Sequence, residues 1–270
     1  MTSMSDAAEL GALLPGESRE FVGRNAVVTG AASGIGATVA RDLHSRGAKV
    51  LALDIAPEII KPGPDPRWVG RSCDVTVSDQ VEASLTEFAR VNGPLDFLIS
   101  NAGAFTAGST IDKLDLETWE RGLRINLTSH FIVLHAFLTY ANTTPPASIV
   151  VVGSRNVAAP GPGAAAYSVP KAGLVQMVRV AALELGARKI RINVVHPDAV
   201  FETALYTPEV LERSAARYGM GVEEYKKQNI LGVDVRTQDV SDVICLLLGE
   251  AFSRTTGAQV PVDGGHMRVI

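Results

Sequence analysis

Strand-like apolar runs alternate with helix-period segments along the chain, the pattern of a parallel sheet covered by helices on both faces. Seven such runs predict strands at 25–29, 50–54, 68–73, 95–100, 148–153, 191–195 and 259–262. Between them, apolar residues at three- and four-residue spacing predict helices at 34–45, 78–91, 116–140, 166–186 and 239–249. The alternation implies an α/β fold, a Rossmann-type doubly wound parallel sheet of about seven strands. One stretch breaks the rhythm. Residues 198–231 mix short helical pieces with Pro208, Gly219 and Gly221, and an insertion after a strand's carboxyl end suits a substrate lid. A Pro-rich stretch at 57–66 reads as a surface connection.

Composition narrows the class. With 270 residues, 46% hydrophobic and 20% charged, the chain can bury a large core as one domain, taken as 24–270 after an N-terminal tail at 1–23. The formal net charge of -4 comes without a basic run, which argues against nucleic acid as a partner. The two cysteines, Cys73 and Cys245, lie far apart without metal-ligand spacing, so neither a disulfide framework nor a metal site is expected and a reducing cytoplasm fits. The opening residues lack a basic n-region and a long apolar core, and no run is long enough for a membrane span.

Candidate chemistry begins after the first strand, at Thr29-Gly30-Ala31-Ala32-Ser33-Gly34-Ile35-Gly36. Glycines here let backbone approach closely, and the amides at the following helix start can hold a pyrophosphate. The same spacing could serve only as a tight helix cap. Asp54 ends the second strand about twenty residues on, where a carboxylate binds both adenosine ribose hydroxyls and repels a 2′-phosphate. With no Arg or Lys inside the turn, NAD is favoured over NADP.

Tyr167 and Lys171 stand four apart at a helix start and share a face. Taken alone, such a pair is also common on solvated helices. Pro170 places the helix start near Ala166 or Tyr167, because proline is tolerated only in a first turn. Ser154 ends the fifth strand thirteen residues earlier, at the sheet edge where ligands sit. Asn126 is an amide inside an apolar helix, either a buried structural group or a relay member.

Together these residues resemble the short-chain dehydrogenase/reductase family over roughly 24–265. The resemblance rests on Thr29-Gly30-x-x-x-Gly34-Ile35-Gly36, Asp74-Val75, Asn101-Ala102-Gly103, Asn126, Ser154, Tyr167-x-x-x-Lys171 and Val262-Asp263-Gly264-Gly265. It implies that Gly30, Ser33, Gly34, Ile35, Gly36, Asp54 and Ile55 hold the cofactor. Asp74 and Val75 would hold the adenine, with Asn101, Ala102 and Gly103 beneath the adenosine, and Pro197 and Val200 would also contact the cofactor. Asn126, Ser154, Tyr167 and Lys171 would be the catalytic set. Tyr167 would move the substrate proton, a role for which a phenol of pKa about 10 needs help from the Lys171 ammonium and an oxidised nicotinamide. Lys171 would hold the nicotinamide ribose, Ser154 the substrate oxygen, and Asn126 a water of a proton relay. The resemblance also implies a homodimer or homotetramer built on the two long helices.

Two segments depart from the family's usual pattern. After the sixth strand stands His196-Pro197-Asp198-Ala199-Val200 in place of the usual Pro-Gly, with Thr203 displaced by one. After Ser154 come the polar Arg155 and Asn156. These segments look most like the dehydrogenase half of rhamnulose-phosphate aldolase/lactaldehyde dehydrogenase fusions. They suggest a sugar, polyol or small hydroxy compound held by Ser154, Arg155, Asn156, Tyr167 and Asp198, with an anionic end on Arg155. Arg155 and Asn156 could equally tie down their loop, and Asp198 could cap the lid. A carbonyl or 3-oxoacyl reductase is the nearest alternative, which Asp54 opposes. A catalytically silent NAD-binding scaffold is a further one, which the full catalytic set opposes.

Overall fold

The computed structural model describes residues 20–61, 63–105 and 108–267. Seven parallel strands form one sheet in the order β3-β2-β1-β4-β5-β6-β7. They are β1 Asn25–Thr29, β2 Lys49–Asp54, β3 Trp68–Ser72, β4 Phe97–Ser100, β5 Ser148–Val152, β6 Arg191–Pro197 and β7 Gln259–Val262. The strand order reverses between β1 and β4, which opens a crevice at their carboxyl ends. The doubly wound α/β architecture expected from the sequence is therefore present.

Strand residues divide between two cores by simple alternation, as a pleated strand requires. Val27, Leu51, Leu53, Ile149 and Val151 face the helices α2 (Ser78–Asn92), α4 (Ser129–Tyr140) and α5 (Ala165–Leu185). Ala26, Val28, Val50, Ala52, Val150 and Val152 face α1 (Gly34–Ser45) and α8 (Thr237–Leu248) on the other side. Every residue of β1 and β5 is buried, which explains why these strands read as unbroken apolar runs.

The structure departs from the sequence expectation in three places. The helix predicted at 116–140 is not one helix. It starts as α3 (Leu116–Leu123), widens into a π-helical turn at Arg124–Thr128 and resumes as α4. The extra residue turns Asn126 inward, where it is fully buried; such insertions often mark functional sites. The last helix starts at Thr237 rather than 239, because the Asp239 carboxylate accepts from the Arg236 amide at 2.8 Å and closes the first turn there. Packing also reaches further back than the proposed boundary at 24: Phe21 is buried edge-on against Phe97. Of the proposed tail, residues 1–19 lie outside the described residues.

The 198–231 insertion carries two helices, α6 (Pro208–Arg217) and α7 (Val222–Lys226), around a small core of its own. Phe201, Leu211, Ala215 and Tyr225 are buried together there. The 57–66 stretch contains a short 3₁₀ turn at Pro57–Ile60 that buries Ile59.

Gly122 sets how closely α3 approaches the start of α5. A Cβ at this position would stand 2.1 Å from the Ala166 carbonyl oxygen, so backbone meets backbone with no side chain to yield. Gly122→Ala is expected to cost about 1–3 kcal/mol in urea unfolding, the usual range for overpacking. An unchanged midpoint would contradict this packing.

Candidate active site

The glycine turn lies at the crevice. Gly30 and Gly34 take positive φ values of 66° and 55°, and a Cβ on Gly36 would fall 2.1 Å from the Gly30 carbonyl oxygen. Ser33 precedes α1 without capping it through its side chain, so the first-turn amides are left to other acceptors. Asp54 stands at the end of β2, one oxygen accepting from the Ala32 amide at 3.0 Å and the other from the Ala56 amide at 2.9 Å. Its carboxylate is thereby fixed beside the turn. The neighbouring Ile55 is 69% exposed.

Asn101 locks the next strand end to that turn. Its side chain donates to the Thr29 carbonyl at 2.9 Å, and the Asn101 and Ala102 amides both donate to the Thr29 hydroxyl. At the exit of β3, the Asp74 carboxylate accepts from the Thr76 amide and hydroxyl, and Val75 is buried in the core. A Cβ on Gly103 would stand 3.0 Å from the Asn126 amide oxygen and 3.6 Å from the Lys171 nitrogen. Three of the sequence-derived positions therefore meet at one point.

Lys171 is buried and donates to the Val152 carbonyl at the end of β5, at 2.8 Å. Burial pulls its pKa down to about 7. Its nitrogen lies 6.0 Å from the centre of the Tyr167 ring. Burial raises the Tyr167 phenol, and a hydrogen bond with Ser154 offsets part of that rise. The chain's own groups thus favour the neutral phenol, where the sequence reading had Lys171 helping to lower it. Phe105 packs edge-on against the Tyr167 ring at 4.9 Å between centres.

Asn126 is pinned by backbone. Its amide nitrogen donates to the Ala104 carbonyl at 2.9 Å, and its oxygen accepts from the Ala104 amide at 3.1 Å. Two histidines that the sequence reading left aside also brace the site. Nδ1 of the buried His196 lies 3.2 Å from the Ser154 amide nitrogen and 2.9 Å from its carbonyl oxygen. His130, four residues after Asn126, pairs with the Ser100 hydroxyl at 2.6 Å. Burial, with the nearby Lys171 charge adding to it, holds His130 well below the ordinary histidine range.

The expected substrate residues divide. Asn156 donates its amide to the Ser154 hydroxyl at 3.2 Å and lines a cavity of about 330 Å³ with Ser109, Val157 and Ser168. Arg155 and Asp198 pair with each other, Nε to Oδ1, at 2.8 Å. His266 completes that group: its Nδ1 lies 2.8 Å from Asp198 Oδ2 and its Nε2 lies 3.2 Å from Arg155 Nη1. Two phenols from the insertion, Tyr206 and Tyr225, lie within electrostatic reach of Arg155 and Asp198, and Tyr206 within reach of Tyr167 as well. Burial raises both. Neither tyrosine nor His266 belongs to a spacing motif that could have singled it out.

Pro197 ends β6 in the interior, and Val200 is buried against the α1 side of the sheet. The displaced Thr203 still reaches the glycine turn, since a Cβ on Gly34 would lie 3.3 Å from its methyl group. Among the described residues, no group of three His, Cys, Asp or Glu is placed to hold a metal ion, and no helix is long and apolar enough to cross a membrane.

Comparison with known proteins agrees with this geometry. The family model described as Enoyl-(Acyl carrier protein) reductase matches residues 30–267. The chain is 34% identical over 259 residues to cis-4-hydroxycyclohexanecarboxylate dehydrogenase of Sinomonas cyclohexanicum, covering 92% of this chain and 98% of that one. It is 32% identical over 267 residues to the uncharacterized oxidoreductase YuxG of Bacillus subtilis, covering 94% of this chain but spanning only 38% of that relative's length. Carveol dehydrogenase from Mycobacterium avium, solved in complex with NAD, superposes with a TM-score of 0.82 at 24% identity, covering 93% of this chain and all of that one. The chain belongs to the short-chain dehydrogenase/reductase family of NAD(P)-dependent oxidoreductases.

Proposed function

We propose that the chain is an NAD-dependent dehydrogenase of a small secondary alcohol that carries a second oxygen group, as a hydroxy acid, sugar or polyol does. The observation that carries this reading is the convergence of Ser154, Tyr167, Lys171 and Asn126 around the ends of β4 and β5. The glycine turn fits a dinucleotide: close backbone at Gly36, an α1 start without a side-chain cap, and the Asp54 carboxylate beside both. Residues Gly30 to Gly36 would take the pyrophosphate, Asp54 and Ile55 the adenosine ribose, and Asp74, Val75 and Asn101 to Gly103 the adenine side, with Pro197 and Val200 near the nicotinamide. When bound, the cofactor accepts the hydride and brings a positive charge next to the phenol. With that charge beside it Tyr167 would lose its own proton to solvent and act as the phenolate, whose oxygen takes the alcohol proton, while Ser154 holds the same substrate oxygen. Lys171 stands behind the phenol, held by the Val152 carbonyl, and Asn126 frames its far side.

The second oxygen group belongs near Arg155. The curated relative named above that is matched over nearly its whole length is a dehydrogenase of a hydroxycarboxylate, and a guanidinium suits a carboxylate through paired hydrogen bonds. The partial match to a longer oxidoreductase accords with the resemblance to aldolase fusions, and so with a sugar-derived alcohol. Segment 198–231 acts as the lid. Exposed Phe131, Val169, Val180 and Leu183 on α4 and α5 suit a homodimer or homotetramer. The two buried free cysteines suit the cytoplasm.

Three measurements test this reading. Tyr167→Phe is expected to lower kcat by roughly 10²–10⁴-fold, the usual worth of a general acid–base group, while NAD titration by fluorescence stays near wild type; substantial residual turnover would remove Tyr167 from the proton transfer. Asp54→Ala should weaken NAD by about 1–3 kcal/mol and narrow the gap to NADP, and an unaltered preference in cofactor kinetics counts against the ribose role. The third concerns Lys171. An unfolded lysine keeps its proton to about pH 10, whereas the folded chain releases this one near pH 7. The unfolded state therefore binds more protons between those values, and stability rises with pH across that window. Lys171→Met should flatten the rise in urea midpoints; an identical slope in both proteins would show that the buried amine is not its source.

A further inference from the structure

Asp198 has little room to receive a substrate, since three of the roughly four acceptor positions of its carboxylate are taken. One of its oxygens accepts from Arg155 Nε at 2.8 Å and from the Ala199 amide at 2.7 Å, and the other lies 2.8 Å from His266 Nδ1. Its side chain is 5% exposed. His266 must donate from Nδ1, because a carboxylate only accepts. The neutral ring then offers a lone pair at Nε2 to Arg155 Nη1, 3.2 Å away. A doubly protonated ring would set N–H against N–H. One tautomer therefore satisfies all three residues at once.

This arrangement decides which atoms of Arg155 remain. Nε is taken by Asp198 and one Nη1 hydrogen by His266. The second Nη1 hydrogen and both Nη2 hydrogens have no partner among the described residues, and together they form the end-on fork that matches the two oxygens of a carboxylate. Each member comes from a different segment. Arg155 follows the catalytic Ser154, Asp198 begins the insertion after β6, and His266 follows the Gly264-Gly265 turn, whose backbone holds the insertion through the Leu231 amide donating to the Gly264 carbonyl at 3.0 Å.

We propose that His266 is a positioning residue for substrate selection, holding the Asp198–Arg155 pair so that the Arg155 fork meets a carboxylate at the end of the substrate remote from the reacting carbinol. This rests on the dehydrogenase reading above. Asp198 acts through Arg155 and does not touch the substrate. The Arg155 and Asp198 charges cancel, so the fork selects by geometry and hydrogen bonding more than by net charge.

The test compares wild type, His266→Ala and His266→Asn with NAD and two alcohols, cis-4-hydroxycyclohexanecarboxylate and cyclohexanol. Wild type should prefer the carboxylated alcohol. His266→Ala should raise its KM about tenfold, the worth of one misaligned charge-assisted hydrogen bond, with kcat and the cyclohexanol KM moving far less. Asn, which restores a donor toward Asp198, should recover much of the loss. An unchanged KM in His266→Ala overturns the proposal even if wild type prefers the carboxylate. Should wild type turn over neither alcohol, or both alike, the dehydrogenase or hydroxy-acid reading falls instead. The imidazole then still decides the role of His266: nitrogen-15 NMR showing the proton on Nδ1 supports the locked pair, and a proton on Nε2 alone overturns it.

Discussion

A buried amine held by one backbone carbonyl is the constraint on which the rest of the site depends. Lys171 donates a hydrogen bond to the carbonyl of Val152, the last residue of β5, and burial brings its pKa to about 7. An ammonium in such a place is costly unless its hydrogen bonds are met. One such bond comes from β5, whose last carbonyl faces inward, while α5 starts six residues before the lysine and Gly103 carries no side chain beside Lys171 and Asn126. Each of these features is a backbone placement, so the chemistry is fixed by how strands end and helices begin.

That dependence explains why so much of the site was legible in the sequence. Apolar runs define where strands stop, and the residues immediately beyond them, the glycine turn, Asp54, Asn101 and Ser154, are brought to one edge by parallel topology alone. Pro170 pointed to a helix start at Ala166 or Tyr167, whereas α5 begins at Ala165 and carries the proline inside it, in the second turn. Gly122 could be recognised as a point of close approach only once its neighbour was known, since Ala166 lies far along the chain.

What stayed hidden was whatever depends on partners rather than on period. The π-helical turn at Arg124–Thr128 leaves the apolar spacing of a long helix nearly intact, so periodicity reads straight through it. It coincides with the pairing of Asn126 with the Ala104 backbone 22 residues away. His130, His196 and His266 carry no motif either. Each takes its role from a partner at long range: Ser100 for the first, Ser154 for the second and Asp198 for the third. The same limit applies to the electrostatics. The sequence reading had the Lys171 ammonium help the phenol to ionise, whereas burial in the folded chain raises it, and the depth of burial is a tertiary quantity.

The two ends of the site are consequently held by different means. The reacting end hangs on backbone: the Val152 carbonyl holds Lys171, and Ala104 holds Asn126. The remote end hangs mainly on side chains, since Arg155, Asp198 and His266 hold one another and the Ala199 amide adds one backbone bond to Asp198. Backbone placement survives substitution elsewhere in the fold, whereas a side-chain triad changes with any one of its members. Under the proposed roles, a division of this kind lets substrate preference drift within a fixed reaction, because replacing His266 or Arg155 alters the remote end and leaves the backbone contacts of Lys171 and Asn126 in place. The departures from the family pattern at Arg155 and Asp198 fall on the adjustable end, and the matches at Ser154, Tyr167 and Lys171 on the fixed one.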